Sequence, residues 1–372
     1  MKPKLIKTVI GHIALAYIVL MLIIAIFGYL IVPDKSTNAN SQHLEIALKK
    51  PGFECLFLKY PNKLNEQVSF FDKLLHGEPM TDGCKAIYSY RFVNDSLEVE
   101  LYTGLSPNQG RKEFYSRDEL CSLLSENNED VAAEKMSDEY ILSKVIVKKT
   151  FLLGTDKFGR DYFSRLVLGA RVSLTVGFIA VVIALLIGIT LGAIAGYFGG
   201  IIDRFLVWLF SVVWSLPTIL LVIAITFALG KGFWQVFVAI GLTFWVDIAR
   251  VVRGQVMSIK ERENIEAAKA LGLRSGRIIF KHILPNVRGT IIVLAASSFS
   301  SAIMTEAGLS FLGVGVQPPV ASWGSMIKEY YGHLVLDSAY LAILPGVAIV
   351  MVVMAFMILG NEIRDNSDVK NA

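Results

Sequence analysis

The run VSLTVGFIAVVIALLIGITLGAIA, Val172–Ala195, contains no charged residue. A bilayer core about 30 Å thick takes roughly 20 residues to cross as a helix, so this run predicts a membrane-spanning helix. Small residues recur every four positions along it and just beyond, at Ala180, Ala184, Gly188, Gly192 and Gly196. Residues four apart share a helix face, and a strip of small side chains lets a second helix backbone approach closely. We therefore predict a tight helix bundle, with Gly188, Gly192 and Gly196 as packing positions.

Five further apolar runs are long enough, or nearly long enough, to cross a bilayer. They are Thr8 to Val32, Phe205 to Leu229, Phe233 to Ile248, Thr290 to Leu312 and Tyr340 to Gly360. Hydrophobic residues make up 54% of the 372-residue chain and charged residues 18%, with a mean hydropathy of +0.54. This composition exceeds what the core of a soluble domain needs. The sequence predicts an all-α polytopic membrane protein with six transmembrane helices.

The positions of the basic residues predict the orientation in the membrane. The connection between the fourth and fifth runs has Arg250, Arg253, Lys260, Arg262, Lys269, Arg274, Arg277, Lys281 and Arg288. The connections 230–232 and 314–339 have only Lys231 and Lys328. By the positive-inside rule the basic loop is cytoplasmic, which places both termini inside and residues 34–171 outside. The first run is longer than the apolar part of a signal peptide and no A-x-A-like site follows it, so we predict an uncleaved anchor.

Residues 34–149 have the composition of a soluble polypeptide and predict a small α+β insert outside the membrane. The stretch CKAIYSYRFVNDSLEVELYTG, residues 84–104, alternates apolar and polar residues on both sides of Asn94-Asp95. That alternation predicts a β-hairpin. Ser116 and Glu119 have capping-box spacing and predict the start of a short helix.

All three cysteines, Cys55, Cys84 and Cys121, lie in this insert. In an oxidising compartment two of them can form a disulfide, but the sequence does not choose the pair. Three buried free thiols are an equal alternative. No CxxC spacing occurs and His43 and His76 are isolated, so we predict no metal site.

Three residues inside the apolar runs call for a structural reason. Pro217 and Pro345 lack a backbone N–H, so each kinks its helix or leaves carbonyl groups for a neighbouring helix or a transport pathway. Glu306 lies in the fifth run, where a carboxylate costs about 2.5–3.5 kcal/mol on insertion scales. It must therefore face protein or water. We expect it to cap or orient the adjacent LSFLG segment, and substrate contact is the alternative.

The segment ENIEAAKALGLRSGRIIFKHILPN, residues 263–286, lies in the basic loop and predicts two short helices joined by a tight turn. Its alanines favour helix, and Gly272 is a typical residue just past a helix end. Ser275 is expected to cap the second helix, and Pro285 is expected to end it.

Two alternatives for this segment are weaker. A helix-turn-helix with a basic second helix is typical of DNA-binding proteins, but a short loop between two spans leaves no room for a projecting recognition helix. An amphipathic helix lying on anionic headgroups explains the basic residues but not the sharp turn. Small side chains at Ala267, Ala268 and Gly272, with the charge of Glu266, instead predict a docking element for a cytoplasmic protein.

The segment resembles the EAA loop of permeases from binding-protein-dependent ABC importers. In that family the loop forms a coupling helix that seats in a cleft of the ATPase subunit. The residues that carry the resemblance, and for which it implies this role, are Glu266, Ala267, Ala268, Gly272, Ile283, Leu284 and Pro285.

Three further stretches resemble the C-type permease subunit of dipeptide, oligopeptide and nickel importers. They are LLGTDKFGRDYFSRLVLGARVSL (152–174), GYFGGIID (196–203) and GLSFLGVGVQPPVASWG (308–324). The signature residues are Gly154, Thr155, Asp156, Gly159, Arg160, Asp161, Arg171, Glu306, Ser310, Gly313, Gln317, Pro318 and Trp323. The resemblance implies a type I ABC importer fold. It departs at Trp208 and Ser211, where family members often have an Arg and an Asp.

The resemblance also implies a division of the chain. An anchor at 1–33 precedes the insert at 34–149, and a permease transmembrane domain follows at 150–365, with its coupling loop at 250–289. A cytoplasmic tail occupies 366–372.

The function implied is the membrane subunit of an ATP-driven importer in the bacterial cytoplasmic (inner) membrane, forming half of the translocation pathway. No G-x-x-x-x-G-K-[ST] phosphate loop occurs, so we predict a chain that is not an enzyme and binds no cofactor. ATP and Mg are then used by a separate ATPase. The implied partners are a second homologous permease, two ATPase subunits, an extracytoplasmic solute-binding protein and the bilayer, with no nucleic acid.

Two other classes of function remain as alternatives. An ion-coupled secondary transporter needs ionisable groups near the midplane and often an inverted repeat, whereas the spans show only Asp247 and Glu306, near their ends, and no repeat. An intramembrane protease using Ser310 lacks a His or Lys base within a span.

The resemblance points to short peptides as cargo. Nickel or another small solute is the lesser choice because no His or Cys cluster lines the predicted spans. The insert is expected to touch the receptor or the partner permease.

Overall fold

The structure is a computed structural model, and it describes residues 6–59, 69–79, 83–105, 107–108, 110–120, 137–230 and 232–368. The chain forms two compact units. The membrane unit consists of Met1–Ala25, Gly169–Val335 and Ala342–Ala372, and the sheet unit consists of Ile26–Leu168 and Leu336–Leu341.

Helices dominate the chain, with one group of strands between the first and fourth helices. The helices are α1 (Val9–Ile31), α2 (Phe70–His76), α3 (Asp138–Val145), α4 (Tyr162–Phe198), α5 (Gly200–Trp214), α6 (Thr218–Leu229), α7 (Phe233–Lys260), α8 (Glu263–Ala270), α9 (Ser275–Ile278), α10 (Leu284–Leu312), α11 (Trp323–Tyr330) and α12 (Tyr340–Asp368). The strands are β1 (Phe53–Lys59), β2 (Cys84–Val93), β3 (Ser96–Leu101), β4 (Lys112–Ser116) and β5 (Ile146–Phe151).

Within the described residues five helical segments are long and apolar enough to cross a membrane. They are α1, α4, α7, α12 and the segment Ser275–Leu312, which ends with α10. The consecutive helices α5 and α6 make a sixth crossing if they count as one span, and they are bent by 93°. The predicted all-α membrane fold with six spans and a small α+β insert is confirmed, and its third span is broken.

The break in the third span coincides with Pro217. This residue precedes α6 as its N-cap, with φ −58° and ψ 122°. Proline has no N–H to continue the bonding of α5 and disfavours helical geometry in the residue before it. Pro345 has a different outcome, because α12 continues through it. Of the two predicted kinks, the sharp one is at Pro217.

Helix α7 is longer than the apolar run that predicted it. The run ends at Ile248, but the helix continues to Lys260. Val252, Val256 and Ile259 are buried at helical spacing in the main hydrophobic core of the membrane unit. The helix therefore stays amphipathic where its sequence becomes charged. Asp247, expected near a span end, lies in the interior of α7.

The small-residue strip of α4 lies against α7. A Cβ added at Gly188 would be 2.7 Å from Ile248 Cβ, and one at Gly192 would be 2.5 Å from the carbonyl oxygen of Ala249. At Gly196 the nearest atom is the Arg253 carbonyl oxygen, at 2.7 Å. No real Cβ fits at these distances, so the glycines set the separation of the two helices.

The sheet unit contains a five-stranded antiparallel sheet in the order β4-β3-β2-β1-β5. The predicted hairpin is confirmed, because Val93 pairs with Ser96 across Asn94 and Asp95. Both turn residues have positive φ, 45° and 64°, which suits the right-handed twist of a two-residue hairpin. Leu58, Ile87, Leu97 and Val99 are buried in one core beneath the sheet.

Two other expectations for the insert concern the predicted helix and the cysteines. Residues 117–120 are helical, and the N–H of Glu119 donates to Ser116 Oγ at 3.2 Å. Cys55 and Cys84 are free thiols. Burial raises the pKa of the Cys55 thiol to about 11, so this thiol stays protonated. Cys121 and the rest of the stretch predicted to be helical lie outside the described residues.

Candidate functional site

The loop between α7 and α10 folds as two short helices around a glycine turn. Helix α8 ends in a Schellman motif, in which the Gly272 N–H donates to the Lys269 carbonyl at 2.9 Å and the Leu273 N–H donates to the Ala268 carbonyl at 3.2 Å. Gly272 has φ 71°, the left-handed conformation that glycine adopts most readily. The predicted helix and turn are present as expected.

The second half of the loop differs from the prediction. Arg274, not Ser275, is the N-cap of α9, and no side chain caps this helix. Pro285 does not end a helix, because it is the second residue of α10. A π-helical turn, Ile279–Ile283, joins α9 to α10, and the Leu284 N–H donates to the Ile279 carbonyl. A proline fits this first turn because its missing N–H is not needed there.

One side of the loop is packed against the main core of the membrane unit. Ile265, Ala268, Ile278 and Ile283 are buried in that core together with Val256 of α7. Ala268, predicted to face a partner, instead faces its own chain. Its small side chain allows α8 to lie close to the core. Leu284 is partly buried and packs against the same core.

The other side of the loop is exposed and partly apolar. Glu266, Ala267, Gly272 and Pro285 are exposed. Leu271 and Phe280 are large apolar residues, and they are 82% and 72% exposed. We call Glu266, Ala267, Leu271, Gly272 and Phe280 the loop surface.

Two lysines hold the loop near the end of α4. Lys260 Nζ lies 5.8 Å and Lys269 Nζ lies 5.9 Å from the centroid of the Tyr197 ring. A cation at this distance is attracted to an aromatic face. Both lysines are thus held by their own chain.

The signature residues 154–161 lie in the sheet unit. Gly154 and Gly159 have φ 73° and 71°, and a Cβ would lie 2.2 Å from the Lys49 carbonyl oxygen at the first and 1.7 Å from the His43 carbonyl oxygen at the second. Thr155 is buried, and its Oγ1 accepts the Lys49 N–H at 2.9 Å. The glycines and this threonine hold the segment around residues 43–49 in place.

Asp156 and Arg160 form a buried ion pair in the same segment. Asp156 Oδ1 accepts the Arg160 N–H at 3.0 Å, and its Oδ2 accepts Arg160 Nε at 2.6 Å. Arg160 Nη1 also donates to Asn40 Oδ1 at 3.2 Å. A buried pair with several hydrogen bonds offsets much of its desolvation cost. Next to it, Asp161 Oδ2 accepts the Ser164 N–H at 3.1 Å, and burial raises the pKa of this carboxyl.

Glu306 is fully buried in the membrane unit and joins three elements. Its Oε1 accepts Ser310 Oγ at 2.7 Å and Ser322 Oγ at 2.8 Å, and its Oε2 lies 3.4 Å from Ser173 Oγ of α4. Ser310 Oγ in turn accepts the Val316 N–H at 3.1 Å. The carboxylate thus orients the segment after α10, the role that the sequence favoured over substrate contact.

Of the remaining signature residues, Trp323 contacts this network through Ser173. Gln317 Nε2 donates to the Gly313 carbonyl at 3.0 Å, and Gly313 ends α10 with φ 86°. The N–H of the buried Trp323 donates to Ser173 Oγ at 3.2 Å.

Pro318 is exposed and forms a cis peptide bond with Pro319. Arg171 is partly buried on α4, and its carbonyl accepts Thr175 Oγ1 at 2.7 Å.

Sequence reasoning missed the ion pair between Asp203 and Arg253. Arg253 Nη2 donates to Asp203 Oδ2 at 2.7 Å, which joins α5 to α7. The available signal was a pair of opposite charges at the edges of neighbouring apolar runs. At the positions where the sequence departs from its resemblance, Trp208 is exposed and Ser211 Oγ accepts Arg250 Nη2 at 3.4 Å.

A second contact missed from the sequence joins the two ends of the membrane unit. Glu362 Oε1 accepts the backbone N–H groups of Lys7 and Thr8, both at 2.6 Å. Lys7 and Thr8 directly precede α1, so this carboxylate of α12 holds the start of α1 in place.

Comparison with known proteins decides the family. Residues 188–368, which include the loop and Glu306, match the family described as the binding-protein-dependent transport system inner membrane component. The chain is 45% identical over 217 residues to the dipeptide transport system permease protein DppC of Alkalihalophilus pseudofirmus, covering 58% of this chain and 71% of that protein. The chain belongs to this family of importer permeases.

Two further relatives of the permease have similar coverage. It is 40% identical to the glutathione transport system permease protein GsiD of Pectobacterium atrosepticum, over 59% of this chain and 72% of that protein. It is 39% identical to the oligopeptide transport system permease protein OppC of Bacillus subtilis, over 60% and 72%. The resemblance to the C-type subunit is confirmed, and the permease is a multi-pass membrane protein.

Proposed function

We propose that this permease carries short peptides into the cell, driven by separate ATPase subunits that dock on the loop surface. The cargo is supported by the similarity to permeases named for dipeptides, oligopeptides and glutathione. The docking role is supported by the geometry of the loop.

The observation that carries the proposal is the contrast between the two sides of α8. Ile265 and Ala268 are buried in the core that also contains α7 and the start of α10. Leu271, at the turn, is 82% exposed. An apolar side chain that is exposed in the free chain can be buried at the centre of a protein interface. Force applied to the loop surface would be transmitted through the buried side to two membrane spans.

In this proposal ATP binding closes the ATPase subunits and shifts the permease between inward-facing and outward-facing states. ATP can shift that equilibrium only by binding more tightly to one state than to the other. The permease chain supplies the spans and the loop surface. ATP and Mg are used on the ATPase subunits.

The proposed assembly has a second homologous permease, two ATPase subunits and an extracytoplasmic solute-binding protein in the bacterial cytoplasmic membrane. Both termini and the loop are cytoplasmic, as the basic residues between α7 and α10 indicate. The boundaries predicted for the anchor, insert, permease domain and tail form part of this proposal. So does a contact of the insert with the receptor or the partner permease.

A different cargo and a different transport mechanism remain as alternatives. Nickel or another small solute would use the same assembly with a different receptor. Within the described residues no group of three or more His, Cys, Asp or Glu side chains can hold a metal ion. An ion-coupled secondary transporter would need no ATPase.

Proteoliposomes containing the complete transporter and its receptor test the proposal. We expect radiolabelled dialanine to accumulate only when ATP is present. Accumulation driven by an ion gradient without ATP would favour the secondary transporter. Uptake of Ni²⁺ but not of dialanine or longer alanine peptides would favour the nickel alternative.

A further inference from the structure

We propose that the cavity at the bend between α5 and α6 binds the protonated amino group of the cargo, with Asp247 as its acceptor. The inference deepens the proposed function and rests on its peptide cargo. Nothing in the loop or the signature segments takes part in this site.

The cavity lies in the membrane unit where the third span is broken. It has a volume of about 350 Å³ and is lined by Val213, Trp214, Ser215, Leu216, Pro217, Thr218, Thr243, Phe244, Val246 and Asp247. Ligand pockets in proteins have volumes of about 300–1,000 Å³. A space of this size suits one end of a short peptide. It lies beside α7, where α5 and α6 diverge by 93° at Pro217.

Asp247 supplies the negative charge of the cavity. It is exposed although it lies in the interior of α7, a membrane-spanning helix. A carboxylate on such a helix is costly against lipid, so this face must meet water or protein. Asp247 Oδ1 accepts Trp214 Nε1 at 3.2 Å. In the described part of the chain it forms no ion pair, so its charge is available to a ligand.

The neighbouring Arg250 contacts other groups and forms no ion pair with this carboxylate. The Arg250 guanidinium lies over the Trp214 ring, 4.5 Å from its centroid, and Nη2 donates to Ser211 Oγ at 3.4 Å. The indole therefore lies between the two charges, with its N–H on Asp247 and its face on Arg250. This contact fixes the ring at the edge of the cavity.

These features select the chemistry of the ligand. A carboxylate that lacks a cation suits an ammonium group, which donates charge-assisted hydrogen bonds to it. Every unmodified peptide has such a group at its N-terminus. An N-acetylated peptide has the same length and side chains but lacks the positive charge. The site therefore predicts discrimination between free and N-acetylated peptides.

Tryptophan fluorescence of the complete transporter in lipid nanodiscs, without nucleotide, tests the site, because Trp214 touches Asp247. The ligands are dialanine, dialanine amide and N-acetyl-dialanine. We expect the first two to change the fluorescence at concentrations at least about tenfold lower than the third. Trp214→Phe should remove the change, which assigns the signal to this ring.

Matched variants distinguish the role of the Asp247 carboxylate in binding from the general effect of removing a negative charge. Asp247→Asn should weaken dialanine binding about tenfold and abolish discrimination against N-acetyl-dialanine, and Asp247→Glu should keep the discrimination. Asp337→Asn removes an exposed carboxylate elsewhere in the chain and should behave like the unaltered transporter.

Three results would overturn the inference. The first is no response to dialanine, and the second is equal binding of free and N-acetylated peptide. The third is an Asp247→Asn transporter that loses its partner permease, since Asp247 would then pair with a cation of that subunit. ATP-driven uptake is measured separately on the same preparations. Amine-dependent binding without uptake would support the site and count against the proposed import function.

Discussion

Two guanidinium nitrogens of Arg253, on α7, donate to the carboxylate of Asp203, on α5, and Nη2 lies 2.7 Å from Oδ2. The side chains are only 28% and 17% exposed, so the pair is partly withdrawn from water. Arg253 lies beyond the end of the apolar run in α7, where this helix continues toward the loop. The contact joins the helix before the bend to the helix that leads to α8.

Replacing Asp203 by Ala should lower the free energy of unfolding by about 1–3 kcal/mol, because Arg253 is left partly buried without its acceptor. The thermal unfolding of the purified transporter measures this loss. Asp365→Ala is the control. Asp365 lies 3.7 Å from Arg364, and these side chains are 74% and 58% exposed. An exposed pair contributes little, so the control should change stability by less than about 0.5 kcal/mol. Equal effects of the two variants would contradict the structural role of the Asp203–Arg253 pair.

Substitutions at Leu271 and Ile265 distinguish an effect on docking from an effect on folding. Leu271→Asp places a charge on the exposed loop surface and should reduce ATP-driven uptake by about tenfold or more while the unfolding temperature stays unchanged. Ile265 is fully buried in the main core. Ile265→Asp should instead lower the unfolding temperature or prevent assembly, because it buries an unpaired charge. Normal uptake by Leu271→Asp would remove Leu271 from the docking site.

Glu266→Lys and Gly272→Trp test two further residues of the loop surface. We expect membrane insertion to be intact in both variants, with hydrolysis uncoupled from uptake, since Glu266 is exposed and a Cβ added at Gly272 meets nothing within 4 Å. Some loss of stability accompanies Gly272→Trp because the residue has φ 71°. ATP hydrolysis and dialanine uptake are measured on the same proteoliposomes. Uptake at the unaltered rate in both variants would contradict the docking role.

Gly192 and Gly254 are matched glycines with opposite surroundings. A Cβ at Gly192 would lie 2.5 Å from the Ala249 carbonyl oxygen, whereas a Cβ at Gly254 would meet nothing within 4 Å. Gly192→Ala should destabilise the protein by about 1–3 kcal/mol, because α4 and α7 must separate. Gly254→Ala should leave stability unchanged or raise it by up to about 1 kcal/mol, since alanine favours helix. Thermal unfolding of both variants tests the packing of the small-residue strip.

Glu306 should be sensitive to truncation. Glu306→Ala leaves the hydroxyls of Ser310 and Ser322 buried without their acceptor and should cost about 2–4 kcal/mol. Glu306→Gln keeps an acceptor oxygen and should cost less. Thermal unfolding ranks the two variants, and a Gln variant less stable than the Ala variant would contradict the role of the carboxylate as an acceptor.

The edge of the sheet should depend on pH through Glu98. Arg91 and Lys112 donate to this carboxylate at 2.6 and 2.7 Å, and they lower its pKa from 4.5 to about 2. Because the pKa is lower in the folded state, the stabilisation is present above about pH 4.5 and is lost as the pH falls toward 2. Hydrogen exchange of the β4 amides in the full chain should accelerate over this range beyond its intrinsic pH dependence. Glu98→Gln should abolish this additional acceleration.

Local sequence determined much of the fold. The length of each apolar run predicted the spans, because a bilayer demands about 20 residues whatever their neighbours are. The turns at Gly272 and at Asn94-Asp95 were also predictable from the sequence, because only a few residue types adopt positive φ readily. Local sequence is therefore enough to predict the first half of the loop and the hairpin.

Tertiary structure decided what local pattern does not contain. Pro285 lies in the first turn of α10 after a π turn, and Ala268 faces its own core. Helix α7 continues past Ile248 because Val252 and Val256 are buried in that core. The pairing of Arg253 with Asp203 joins residues on different helices, and the cavity beside Asp247 depends on the angle at Pro217. Such contacts follow from how helices pack against one another. Sequence periodicity fixes which face of a helix is apolar, but not which residue of another helix that face will meet.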